Sequence, residues 1–314
     1  MDKENLKKEI RQLKDKNDVT ILAHYYQTLD IQEIADYLGD SLGLSRTAKE
    51  KANAKNIIFS GVLFMAETAS ILNQEKRVLI PNKQACCPLA DFLTPEIVQK
   101  FKKKYPELPV ITYVNSTAAV KAVSDVCCTS SNSIDIVNKI SKEYDVDSVL
   151  FGPDSNLGDY VSQNTKIRII SMPENGHCRT HSQLKVKDII PLKEDNLEAK
   201  VLVHPECIRE VREFADYVGS TAGMYKYVKN SKVTEKKFII GTEKGLMDRL
   251  AVDFIQKEFI LAKKSLICYN MKKNTLESIF DILNNLDDEE YEVRVPSEIA
   301  EKALRPIEKM LRYS

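Results

Sequence analysis

Short apolar runs that stop abruptly at polar residues recur along this 314-residue chain, and helical patterns fill the gaps between them. Three of these runs, ILAHYYQ from Ile21, ITYVNST from Ile111 and VLVHPEC from Val201, begin 90 and 90 residues apart and predict buried strands. A helical stretch follows each and closes on a similar punctuation: Asp36-Tyr-Leu-Gly-Asp-Ser41, Asp125-Val-Cys-Cys-Thr-Ser130 and Asp216-Tyr-Val-Gly-Ser-Thr221. Next come NIIFSG, SVLFG and FIIG, which stop at Gly61, Gly152 and Gly241, where the lack of a Cβ lets the backbone turn sharply. RVLIP, IRIIS and KEFIL predict a further strand in each set, and the loops after them reach Cys87, Cys178 and Cys268, 91 and 90 residues apart. Five features recurring in one order mark a triplicated unit with a period of about 90 residues.

Strands alternating with helices predict an α/β fold of three-layer αβα units with parallel sheets, in which ligands bind beyond the carboxyl ends of the strands. Three similar units packed around a pseudo-threefold axis, strand ends inward, would bring the three cysteines together. The expected units are 1–95, 96–186 and 187–274. Residues 275–314 are expected to add helices that pack back on the first unit, with Pro296 and Ser297 as start signals for the last.

Composition narrows the function. Lys plus Arg and Asp plus Glu are equal at 46 each, so no net charge draws the chain toward nucleic acid or an anionic membrane. The N-terminus is charged, with Leu6, Ile10 and Leu13 at helical spacing, unlike a signal peptide. The longest apolar runs fall far short of the roughly 20 residues that span a bilayer. A soluble, cytoplasmic protein is expected, and the seven cysteines are then read as reduced thiols serving as ligands, nucleophiles or core residues.

A lone buried cysteine is more often a small core residue than a ligand. Equivalence in three repeats changes that weighting for Cys87, Cys178 and Cys268. Three thiolates converging from separate units suit a 4Fe–4S cluster with one iron left open to act as a Lewis acid. Cys86 adjoins Cys87 and competes for its place, whereas Cys127, Cys128 and Cys207 read as core or loop thiols. His24 and His204 stand at equivalent strand ends, and His181 follows Cys178 by three residues. With Tyr26 and Glu206 they form a candidate acid–base set. His177 reads as a solvated neighbour. Ser41, Ser130 and Thr221 read either as helix N-caps or as hydroxyls that bind phosphate or carboxylate, with Tyr113 and Asn115 as further donors. There is no P-loop and no GxGxxG followed by an acidic residue, so nucleotide binding has no support.

The strings ILAHYYQ, IADYLGDSLGLSR, GVLFMAETA, ACCPLAD, TYVNST, TSSN, VLVHPEC, ADYVGSTAGM, GTEKG and CYNMKKNTLE resemble the quinolinate synthase family over nearly the whole chain. The resemblance implies three pseudo-symmetric α/β units around a central 4Fe–4S cluster held by Cys87, Cys178 and Cys268. It also implies condensation of iminoaspartate with dihydroxyacetone phosphate to quinolinate, the precursor of NAD, with release of phosphate and two waters. His24 and Tyr26 then resemble the catalytic pair, while His204 and Glu206 resemble residues that face the substrate, Glu206 as general base. Ser41, Tyr113, Asn115, Ser130, His181, Ser220 and Thr221 look like the ligand-binding set. Coupling to an iminoaspartate-producing aspartate oxidase or dehydrogenase is implied as well. The chain departs from the family in ACC before the first ligand and in Arg179 and Thr180 after the second. Two competing readings are another 4Fe–4S hydro-lyase and a non-enzymatic iron–sulfur sensor, the latter having no need of acid–base side chains at strand ends.

Overall fold

A computed structural model describes residues 2–52 and 54–314. It contains three four-stranded, all-parallel sheets. The first comprises β1 (Val19–His24), β2 (Tyr37–Gly39), β3 (Asn56–Ser60) and β4 (Arg77–Leu79). The second comprises β5 (Val110–Tyr113), β6 (Val126–Cys128), β7 (Ser148–Gly152) and β8 (Arg168–Ser171). The third comprises β9 (Lys200–Val203), β10 (Tyr217–Val218), β11 (Lys237–Gly241) and β12 (Glu258–Leu261). All three share one strand order, second-first-third-fourth. The α/β class and the three related sheets follow the sequence expectation.

Burial explains the layering. Along each central strand alternate residues point to opposite faces. Leu22, Ile111 and Leu202 enter one apolar core common to all three sheets, whereas their neighbours Ile21, Val110 and Val201 enter three separate cores. Both faces of every sheet are therefore covered, as parallel sheets require. The N-terminal helix Lys3–Lys16 lies on the helix Leu276–Asn284 over the first sheet. The last helix, Ser297–Tyr313, packs on the helix Leu63–Leu72 of the first sheet's region and also on β6 of the second. Among the described residues no helix is long and apolar enough to cross a membrane.

Three local readings change. The stretches beginning at Asp36, Asp125 and Asp216 are not turns alone; each contains a two- or three-residue edge strand, β2, β6 or β10. The leading aspartate fastens it: Asp36, Asp125 and Asp216 accept the N–H of Ile21, Val110 and Val201 at 2.8, 2.7 and 2.8 Å. These bonds also correct the alignment, because the equivalent residues are Ile21, Val110 and Val201, which differ by 89 and 91. Finally, among the described residues no glycine has a positive φ. Gly152 is needed for close approach instead, since a Cβ there would lie 2.0 Å from the carbonyl oxygen of Met172.

Candidate active site

With the register corrected, the ends of the three central strands become comparable residue by residue. His24 pairs with Gly39, Tyr113 with Cys128, and Val203, the residue before His204, with Val218. His24, Tyr113 and His204 are thus equivalent, and so, two residues on, are Tyr26, Asn115 and Glu206. Five residues beyond the leading aspartates stand Ser41, Ser130 and Thr221. These nine side chains and Cys87, Cys178 and Cys268 all line one cavity. Four positions in each of three units build its wall.

The cysteine loops hang from one repeated contact. The N–H groups of Leu63, Ser155 and Lys244, each at the start of a helix, donate to the carbonyls of Ala85, Gly176 and Leu266 at 2.8, 2.8 and 2.9 Å. Each acceptor precedes a cavity-lining cysteine by two residues. Cys86 falls outside this frame, is exposed, and does not line the cavity. Cys127, Cys128 and Cys207 are buried away from it. Burial pushes the Cys87, Cys178 and Cys268 thiols up, while backbone N–H groups act in the opposite direction: Leu89 and Ala90 at Cys87, His181 at Cys178, Met271 and Asn270 at Cys268. Such donors favour the thiolate, the form that binds metal.

Glu206 is buried, and its Oε2 lies 2.8 Å from His181 Nδ1 and 3.2 Å from His204 Nδ1. Burial opposes its ionisation, but His204 and His181 hold the carboxyl well below the usual range. Its Oε1 has no hydrogen-bond partner among the described residues, and neither has Asn115 Oδ1. Burial lowers His204, with Glu206 pulling the other way. His24 is pushed down to about 3, mainly by burial, so its imidazole is neutral. The histidines share a local design: His24 Nδ1 accepts the N–H of Tyr26 at 3.1 Å, and His204 Nδ1 accepts that of Glu206 at 3.3 Å.

Tyr26 is the hub of the hydroxyl network. Its phenol oxygen lies 2.7 Å from Thr242 Oγ1, receives the Thr221 hydroxyl at 3.0 Å, and stands 3.5 Å from His181 Nε2. Thr242 Oγ1 is also 2.9 Å from His181 Nε2. Burial raises Tyr26 and Tyr113 well above the ordinary phenol value. Lys272 bonds the Tyr26 carbonyl and lies 2.9 Å from Glu243, tying the third cysteine loop to the first strand end.

Other expectations shift by a residue. The caps of the helices Ser41–Glu50 and Thr221–Asn230 are Asp40 and Ser220, which accept from Gly43 and Gly223, so Ser41 and Thr221 are first-turn residues with their hydroxyls released from capping. Ser130 precedes its helix, which starts at Ser133. Ser220 does not line the cavity; it donates to Asp40 at 3.2 Å in an adjoining cleft that shares Asp40 and Ser130 with it. Arg179 is exposed, Thr180 lines the cavity, and His177 is half-buried against Phe92. Sequence reasoning missed Thr242, whose only signal is its place after Gly241 at a strand end, and also Asp40, which lines the cavity.

A parallel α/β scaffold with thiols, a buried carboxylate and a buried phenol around one cavity defines an enzyme. The family model described as Quinolinate synthetase A protein matches residues 8–312, and the chain belongs to that family. Relatives named quinolinate synthase include those of Clostridium kluyveri, 49% identical with 99% of each chain covered, and Thermotoga maritima, 46% identical with 96% of this chain and 97% of the relative covered. That of Pyrococcus furiosus is 45% identical with 99% of each covered.

Proposed function

We propose that the chain condenses iminoaspartate with dihydroxyacetone phosphate to quinolinate, releasing phosphate and two waters, as a step of NAD biosynthesis. The observation that carries this reading is the single cavity onto which three thiols, the Glu206 carboxylate and the Tyr26 phenol all open. The iminoaspartate would come from an aspartate oxidase or dehydrogenase.

Cys87, Cys178 and Cys268 would hold a 4Fe–4S cluster. The donor set fits, being three soft thiols, each with at least one backbone N–H group that favours its thiolate. When bound, such a cluster supplies a Lewis-acidic iron free of protein ligand. The chain's own residues do the proton work. Glu206, kept ionised by two histidines and with Oε1 unpaired, removes the proton next to the triose carbonyl. Tyr26, kept protonated by burial, returns a proton to a departing hydroxyl, and Thr242 and Thr221 hold its oxygen in place. Neutral His24 orients the substrate as a hydrogen-bonding group, and His204 lines the cavity beside Glu206. Ser41, Tyr113, Asn115, Ser130, His181 and Thr221 bind the phosphate and carboxylates, and Ser220 supports them through Asp40.

A second reading rests on the donor atoms of Cys178, His181 and Glu206, which lie within 4.8 Å of one another and are able to hold a single metal ion. It leaves Cys87 and Cys268 without a role. Anaerobic reconstitution with iron and sulfide, followed by an assay for quinolinate, separates the two. Equal iron and sulfide, lost in Cys87→Ala, Cys178→Ala and Cys268→Ala alike, is expected; one metal ion without sulfide, unaffected by Cys87→Ala, overturns the cluster assignment.

A further inference from the structure

The helices whose first N–H groups hold the cysteine loops are preceded by Val62, Asp154 and Glu243, the equivalent N-cap residues of the three units. Two of these are carboxylates, both wholly buried. Asp154 Oδ1 accepts the N–H of Leu157, an ordinary cap, at 2.8 Å, while Oδ2 accepts the N–H of Cys178 at 2.9 Å. Glu243 repeats the arrangement with a longer arm. Its Oε2 accepts from Gly245 at 2.6 Å, and its Oε1 accepts the N–H of Cys268 at 3.2 Å. Val62 offers no acceptor, and among the described residues the N–H of Cys87 has no intramolecular partner.

A carboxylate suits this post because each oxygen faces a different N–H donor, and these donors oppose the burial that pushes both carboxyls up. An amide would turn an NH₂ toward one of them, and a serine would keep the helix cap but fall short of the cysteine. We infer that Asp154 and Glu243 are positioning residues that fix the Cys178 and Cys268 backbones for ligation before any cluster is present. The Cys87 loop, without this brace, is then the one that adjusts last as the cluster forms. The inference rests on the cluster reading above for its purpose, but the brace itself is a property of the apo chain.

The test therefore begins without metal. Backbone amide exchange is measured on the apo chain with its own sequence and on Asp154→Asn, Asp154→Ser and Glu243→Gln. The amides of Cys178 and Cys268 should exchange about tenfold or more slowly than that of Cys87. Each substitution should abolish protection at its own cysteine only. Asp154→Ser keeps a cap, so it decides the matter if Asp154→Asn does not fold. Equal exchange at all three cysteines, or protection unchanged by the substitutions, overturns the inference. On reconstituted protein, cluster loss to a chelator, followed by visible absorbance, should be about tenfold faster in these variants. Thr275→Ala, which removes a helix cap at Ser278 from a residue that does not line the cavity, should leave it unchanged. Equal loss rates in all variants also count against the brace. If the unsubstituted chain takes up no cluster, the cluster reading fails, and amide exchange still decides the brace.

Discussion

Glu206 illustrates how burial and charge divide the work at a single residue. Water exclusion alone would protonate it, yet two imidazoles within 3.2 Å reverse the outcome and leave a carboxylate with one oxygen unengaged. Glu206→Gln keeps the shape and removes the base, so kcat for quinolinate formation should fall by about 10²- to 10⁴-fold while the cluster absorbance stays as it was. Thr242→Val asks a different question. It deletes a hydroxyl shared by Tyr26 and His181, and should lower kcat by about tenfold with little change in KM if that hydroxyl orients the phenol in the reaction. Part of this was legible in the sequence: His24, Tyr26, His204 and Glu206 stand where apolar runs end in groups of unusual chemistry. Thr242 was not, because a threonine after glycine at a strand end carries no chemical signature until its neighbours are known.

At the level of elements, the aspartates that fasten the edge strands are structural and replaceable only at a cost. Asp125→Ala leaves the N–H of fully buried Val110 without its side-chain acceptor and should destabilise the fold by about 1–3 kcal/mol, read from denaturant unfolding. Asp159 joins two elements instead: its carboxylate binds Arg209 and Arg212, and despite its partial burial these guanidinium groups hold it below the usual carboxylate range. A carboxyl depressed on folding contributes stability above its unfolded value and loses it as the pH falls through the folded value. Asp159→Asn should therefore cost about 2 kcal/mol at neutral pH, less than a fully buried pair because Asp159 is partly solvated, and its melting temperature should converge with that of the natural chain as the pH drops below about 4. The central strands were readable because continuous Ile, Leu and Val runs have no other home in a sheet covered on both sides. The edge strands were not, since two or three residues such as Tyr217–Val218 show no period. The one-residue slip in the second repeat came from Tyr113, which reads as one more strand residue although it occupies the place of a histidine.

For the whole molecule, the common core decides how many parts melt together. Leu22, Ile111 and Leu202 belong to it, as do Ile307 and Met310 of the last helix. Ile307→Ala, about 2–5 kcal/mol in cost, should lower one cooperative transition in calorimetry and not split it, because its side chain enters the core that all three sheets share. The triplicated plan was visible from spacing alone, but the course of the last helix across β6 was not, since its amphipathic pattern shows that one face is buried and not against what. The equivalence of Tyr26, Asn115 and Glu206 has a last consequence. Three repeat-equivalent places at the strand ends hold a phenol, an amide and a carboxylate. On the proposed reading, the direction in which an asymmetric substrate lies is then set by the identities of these three side chains. On the same reading, a cyclic exchange among those positions would turn the reaction's polarity around the cavity.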